Sequence, residues 1–172
     1  MLYVKYMPRR LFDRRLALIM PFVAILLVAV ACSGDDKPKE PPPGTTAITL
    51  TTDKGAKRTL FVEIADEPSE RSVGLSGRTN LADDSGMLFV IPVKGIGFWM
   101  KDTLIPLSVA FLGPCGEVVH IADMQPQTLD LHDTDRPYNF GLEVNQGWFS
   151  RHGIGVGARV ELPQGVRPAS CS

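Results

Sequence analysis

From residue 47 onward, short runs of apolar, β-branched and aromatic residues alternate with positions rich in Gly, Pro, Asn and Asp. Strand-length runs separated by turn formers, repeated along a chain, indicate an all-β sandwich or barrel. The pattern predicts strands over residues 47–52, 58–65, 86–90, 96–101, 107–112, 117–124, 140–145 and 159–162. The clearest hairpin spans 107–124. Its turn is Gly113-Pro114-Cys115-Gly116, where proline fixes φ and glycine accepts the positive φ of a tight turn. Two stretches break the alternation. In 66–75 a capping acid, an early Pro68 and a closing Gly74 predict a short helix. Residues 147–152 predict one helical turn closed by Gly153. The expected fold is mainly β: a small β-sandwich or barrel-like domain over 47–166 with one or two short helices, Phe89 and Phe98 in its core, and a tail over 167–172.

The chain before residue 47 follows another pattern. A basic region with Lys5, Arg9, Arg10, Arg14 and Arg15 leads into an apolar run over 16–31 that contains Pro21. That run is short of the roughly 20 residues a spanning helix needs, and the layout is that of a signal peptide. Ala29-Val30-Ala31-Cys32 resembles the lipobox of bacterial lipoproteins, in which a peptidase cuts before a cysteine already bearing diacylglycerol. The resemblance implies removal of residues 1–31, fatty acyl chains such as palmitate on Cys32, and retention at a membrane, since two or more acyl chains anchor stably. An uncleaved N-terminal anchor is the alternative, and it too places the domain outside the cytoplasm. Arg9-Arg10-Leu11-Phe12 partly resembles a twin-arginine export signal. Residues 33–46, SGDDKPKEPPPGTT, offer nothing to a core and read with Cys32 as a proline-rich tether over 32–46.

Setting the leader apart changes the charge. The whole chain is nearly neutral at −1, but residues 1–32 hold five basic residues and one acid, which leaves thirteen basic and eighteen acidic residues beyond them. A balance near −5 argues against a nucleic-acid partner, which needs a basic face. With Cys32 lipidated, Cys115 and Cys171 are left to form a disulfide outside the cytoplasm or to stand as two free thiols. No CxxC spacing suggests redox or zinc chemistry.

Glu70-Arg71, Gly74-Leu75, Arg78, Leu81, Gly86-Met87-Leu88-Phe89, Phe98-Trp99-Met100-Lys101, Thr103, Pro106-Leu107, Leu142-Glu143-Val144-Asn145 and Gly147-Trp148 follow one another in an order that resembles the family called domain of unknown function 192, over about residues 58–162. The resemblance implies a small β domain, often exported, with no established activity. Two positions depart from the family's pattern: Ser108 stands where an aspartate often follows the Pro-Leu pair, and Gln127 where a cysteine is frequent.

Alternation along a strand puts Trp99, Lys101 and Thr103 on one face, and Glu143 with Asn145 on one face of another strand. If those faces converge, Lys101, Thr103, Glu143 and Asn145 line a polar patch, with Trp99 or Trp148 as a flat wall and Arg71 and Arg78 nearby. Such a mixture suits a polar small molecule, a sugar or a peptide. A structural role stands beside it: Arg71 and Arg78 could pair with Glu143, and Asn145 could cap the turn at Gly147. Lys101 near Glu143 also admits acid–base work, as in a hydrolase or lyase, if burial shifts their pKa values, and a pure envelope spacer is the third reading. No GxSxG, P-loop or HExxH motif occurs, and no cofactor or metal is implied. Residues 130–135 are acidic enough to attract a cation but read as a solvated loop. Ser150 and His152 have no evident acid partner.

Overall fold

The computed structural model describes residues 40–92 and 97–171. The leader, Cys32 and the tether up to residue 39 lie outside the described residues, as does Ile96 of the predicted strand over 96–101. Seven strands form one sheet: β1 (Thr46–Thr51), β2 (Lys57–Ala65), β3 (Ser85–Val90), β4 (Leu107–Leu112), β5 (Val118–Met124), β6 (Phe140–Asn145) and β7 (Arg159–Glu161). Their order is β5-β4-β6-β3-β2-β1-β7. Every pairing is antiparallel except β2 with β3, which needs a crossover. Helix α1 (Pro68–Val73) lies on that crossover, and α2 (Trp148–Arg151) follows β6. Both begin where the sequence invites a helix. At α1 the Glu70 carboxylate accepts the Glu67 N–H at 3.1 Å, and Gly74 closes the turn onto the Glu70 carbonyl at 2.7 Å.

The sheet curls until its two edges meet, so the barrel-like alternative describes it better than two stacked sheets. Val118 N–H donates to the Ala158 carbonyl at 2.8 Å, and Val160 N–H to the Gly116 carbonyl at 2.7 Å, which joins the start of β5 to β7. This seam satisfies edge groups that would otherwise template aggregation. It requires glycine at 116: φ there is +81°, and a Cβ would stand 2.1 Å from the Val160 carbonyl oxygen. The Cys115–Cys171 disulfide lies at the same seam and ties the tail to the β4–β5 turn.

Alternation sorts the side chains into two cores. All seven strands contribute to the inner one, including Leu50, Leu60, Leu88, Leu112, Val118, Leu142 and Val160, and α2 adds Trp148 and Phe149. The outer face of the central strands carries Ala65, Met87, Phe89, Leu107, Val109 and Phe111. Its cover is irregular chain: Leu75 after α1, Phe98 and Met100 from the segment 97–105, and Tyr138. The predicted strand over 96–101 is corrected here. Its described part does not join the sheet but makes one antiparallel bridge, Phe98 with His132, before Asp102 turns the chain at φ 58°. We call residues 97–105 the strap.

Candidate functional site

Glycine lets the strap come down on the sheet. A Cβ on Gly141 in β6 would lie 2.1 Å from the Phe98 ring, so only glycine admits that ring onto the strand. Phe98 then packs edge-to-face between Phe89 and Phe111, with ring centroids 5.3 and 5.6 Å apart. Hydrogen bonds hold the strap on both sides: Phe98 N–H to the His132 carbonyl at 2.8 Å, Gly77 N–H to the Asp102 carbonyl at 2.9 Å, and the Ser76 hydroxyl to the Lys101 carbonyl at 3.1 Å.

Two residues along β6 from Gly141, on the same face, stands Glu143. Its cross-strand neighbours are Met87 and Val109, both apolar and buried. Glu143 is 5 % exposed, and among the described residues its carboxyl has neither a hydrogen-bond nor an ion-pair partner. Burial disfavours the charged form and pushes the Glu143 carboxyl up to about 8 from an ordinary value near 4.5. At neutral pH the group is therefore mostly an uncharged acid.

Glu143 is not sealed in. It lines a cleft of about 390 Å³, within the roughly 300–1,000 Å³ of small-molecule sites. Phe89, Phe98 and Thr103 line it with Glu143, while Arg71, Val73, Trp99, Lys101 and Leu131 come from α1, the strap and the loop before Tyr138. Thr103 is buried, and among the described residues its hydroxyl has only a 3.5 Å contact to the Lys101 carbonyl. Lys101 is exposed, its ammonium 5.6 Å from the centroid of the half-exposed Trp99 ring.

The structure thus gathers Arg71, Trp99, Lys101, Thr103 and Glu143 in one cleft and leaves three sequence candidates outside it. Trp148 is 1 % exposed in the inner core, on the other side of the sheet, because α2 turns it inward. Asn145 shares the face of Glu143, but its amide donates to the Leu81 and Ala82 carbonyls at 3.0 and 3.1 Å, which pins the loop before β3 instead of capping Gly147. Arg78 forms a two-pronged pair with Glu63, at 2.7 and 2.6 Å, which holds its guanidinium away from the cleft and its pKa above the ordinary value. The pairing considered between these arginines and Glu143 is therefore not made, and Arg71 instead donates to the Asp66 carbonyl. Nor does Lys101 form an ion pair with Glu143 or a hydrogen bond to Asn145. Val73 at the end of α1 and Leu131 in the loop before Tyr138, neither named as a site residue from the sequence, complete the rim; their only signal was apolar character outside the strands. Ser108, one departure from the family's pattern, faces away from Glu143, donating to Asp123 while accepting the Gly147 N–H at the start of α2. Among the described residues no three His, Cys, Asp or Glu side chains are grouped to hold a metal ion, and no helix is long and apolar enough to cross a membrane.

The family model of domain of unknown function 192, DUF192, described as "Uncharacterized ACR", matches residues 49–162. Among solved structures, a Sinorhizobium meliloti 1021 protein described as a "putative transcription regulator" is 33 % identical, with a TM-score of 0.67 over 72 % of this chain and 97 % of its own. A protein of unknown function from Novosphingobium aromaticivorans DSM 12444 is 32 % identical, with a TM-score of 0.66 over 72 % of this chain and 91 % of its own. No curated protein matches. The match over residues 49–162 places this chain in the DUF192 family, to which it belongs.

Proposed function

We propose that the protein is an extracytoplasmic lipoprotein of the cell envelope, held to a membrane by acyl chains on Cys32, whose β domain binds a polar small molecule, sugar or peptide in the cleft over Glu143. One observation carries the binding reading: the carboxyl of a largely buried glutamate, with no hydrogen-bond or ion-pair partner among the described residues, opens onto the floor of a cleft. Buried polar groups without partners are rare, because each forfeits its hydrogen bonds to water. A ligand supplies the missing partner. The Cys115–Cys171 disulfide supports the location, since such bonds persist mainly outside the reducing cytoplasm. The S. meliloti protein is described as a "putative transcription regulator"; in this chain the residues beyond the leader carry about −5, which argues against a nucleic-acid partner.

Trp99 reports occupancy. It is 53 % exposed at the rim, whereas the chain's other tryptophan, Trp148, is buried in the inner core. Titrating sugars, short peptides and polar metabolites into the full-length protein should give a saturable change in Trp99 fluorescence for one class. Lys101→Met should weaken that binding and shift stability by no more than about 0.5 kcal/mol, because Lys101 is exposed and unpaired among the described residues. A panel that leaves Trp99 unperturbed contradicts the binding reading. Cys32→Ala should abolish acyl labelling and leave the precursor unprocessed; labelling that persists contradicts the anchor.

The position of Glu143 favours a second reading. A carboxyl titrating near 8 in a cleft is tuned for proton transfer near neutral pH, as a hydrolase or lyase would require. A general acid–base role predicts that Glu143→Gln abolishes turnover of a bound substrate while its binding survives.

A further inference from the structure

The cleft is electrically lopsided. Among the described residues its titratable lining groups are Glu143 at the floor and Arg71 and Lys101 nearer solvent. Neither cation has a carboxylate partner among the described residues: Arg71 donates to a backbone carbonyl and Lys101 stands over Trp99. The floor holds a latent negative charge and the mouth holds two open positive ones. Around that mouth three apolar side chains remain uncovered, Val73 at 61 %, Trp99 at 53 % and Leu131 at 64 % exposure. Apolar groups ringing a charged cleft mark a binding surface more often than chance exposure does.

We propose, resting on the binding reading above, that the ligand is an apolar zwitterion, an α-amino acid or a short peptide, with its ammonium against Glu143 and its carboxylate toward Arg71 and Lys101. Three alternatives fit the geometry less well. An anion is favoured at the mouth but has nothing to gain at a floor whose one ionisable group among the described residues is an acid. A neutral hydroxyl could bond to the protonated carboxyl, but it leaves Arg71 and Lys101 idle and gains nothing from the apolar rim. A bare metal ion would find the Glu143 carboxylate and the Thr103 hydroxyl but no cluster of ligands among the described residues. An ammonium gains on each count. It returns the Coulomb attraction that makes ionising a buried carboxylate worthwhile, it can donate to the underused Thr103 hydroxyl, and it sits among the Phe89 and Phe98 rings. The cleft's size, at the small end of the ligand-site range, suits one or a few residues.

The chemistry leaves a signature in protons. A mostly protonated Glu143 must ionise to hold an ammonium, so binding at pH 7 releases close to one proton per ligand to buffer. Isothermal titration of the full-length protein in detergent, in two buffers of different ionisation enthalpy, reads this release. The probes are L-leucine, the dipeptide Leu-Leu, N-acetyl-Leu-Leu and the neutral sugar maltose. The expected result is binding of leucine or Leu-Leu with close to one proton released, weakened at least tenfold by acetylation and at least tenfold by Glu143→Gln. The tighter of the two identifies a free amino acid or a peptide as the source of the ammonium. Glu143→Gln is isosteric with the protonated acid, and the proton count on the unaltered protein decides the matter even if that variant folds poorly. Equal affinity for the acetylated peptide, or binding without proton release, overturns the inference. Binding of maltose with no binding of the amines overturns it too, while the binding reading survives. If no probe binds, the zwitterion is excluded, and the wider fluorescence panel decides the binding reading separately.

Discussion

Glu143 owes its properties to its neighbours: among the described residues it is the one buried acid. Placed between Met87 and Val109 and roofed by the strap, it loses hydration and receives nothing in return. That cost depends on pH in a definite direction. Because the folded-state pKa lies above the unfolded value, the folded form's advantage is complete below about pH 4.5, declines as pH rises to about 8, and is flat beyond. Glu143→Gln removes this dependence. The variant should become progressively more stable than the parent between those limits, by up to about 5 kcal/mol at the alkaline end. Denaturant melts of both proteins across that range check it, and parallel curves would contradict it. The aromatic roof is testable in the same way. Phe98 is buried in an edge-to-face cluster, so Phe98→Ala should cost roughly 3–5 kcal/mol. Gly141→Ala, which drives a Cβ into that ring, should cost roughly 1–3 kcal/mol and displace the strap. Chemical denaturation gives both magnitudes, and altered Trp99 fluorescence in the glycine variant would register the displaced strap.

At the scale of elements, the sheet was legible and its cover was not. Strand boundaries inferred for 107–112 and 140–145 coincide with β4 and β6, because strand-length stretches bounded by turn formers such as Pro106, Gly113 and Gly147 constrain the backbone locally. Alternation placed Glu143 opposite Leu142 correctly. It could not show that both faces of β6 are buried, since the second face is covered by chain from distant parts of the sequence, held by a few scattered backbone bonds. Residues 97–101 misled for the same reason: Phe98 and Met100 alternate with Trp99 and Lys101 as in a strand, yet the segment lies across the sheet and not within it. Trp148 and Asn145 were assigned to the site on type and spacing alone, and tertiary packing gave each a structural partner. The seam between β5 and β7 was likewise invisible, although Gly116 marks it. Gly116→Ala should open it, since the obstructing atom is a backbone oxygen that cannot swing away. Hydrogen exchange should then rise at Val118 and Val160 with the central strands still protected; protection retained at both amides would contradict the closure.

Across the whole molecule, a domain of this size gains from the covalent tie at its seam. Cys115 and Cys171 are 56 residues apart, and a disulfide closing such a loop typically contributes about 2–4 kcal/mol. Reduction, or Cys115→Ser, should lower the thermal midpoint by several degrees without changing strand content; an unchanged midpoint would show that the seam's hydrogen bonds suffice alone. The curled sheet also explains where the site lies. Its interior is filled by the inner core, and the cleft arises on the outer face where strap, α1 and sheet meet over one largely buried acid. The binding reading, the acid–base reading and the zwitterion all depend on that acid being buried and uncharged at neutral pH. The most direct measurement is a carbon-13 NMR titration of the Glu143 side-chain carboxyl in the ligand-free protein. The account requires a midpoint near 8, and a midpoint near the ordinary value of about 4.5 would contradict it.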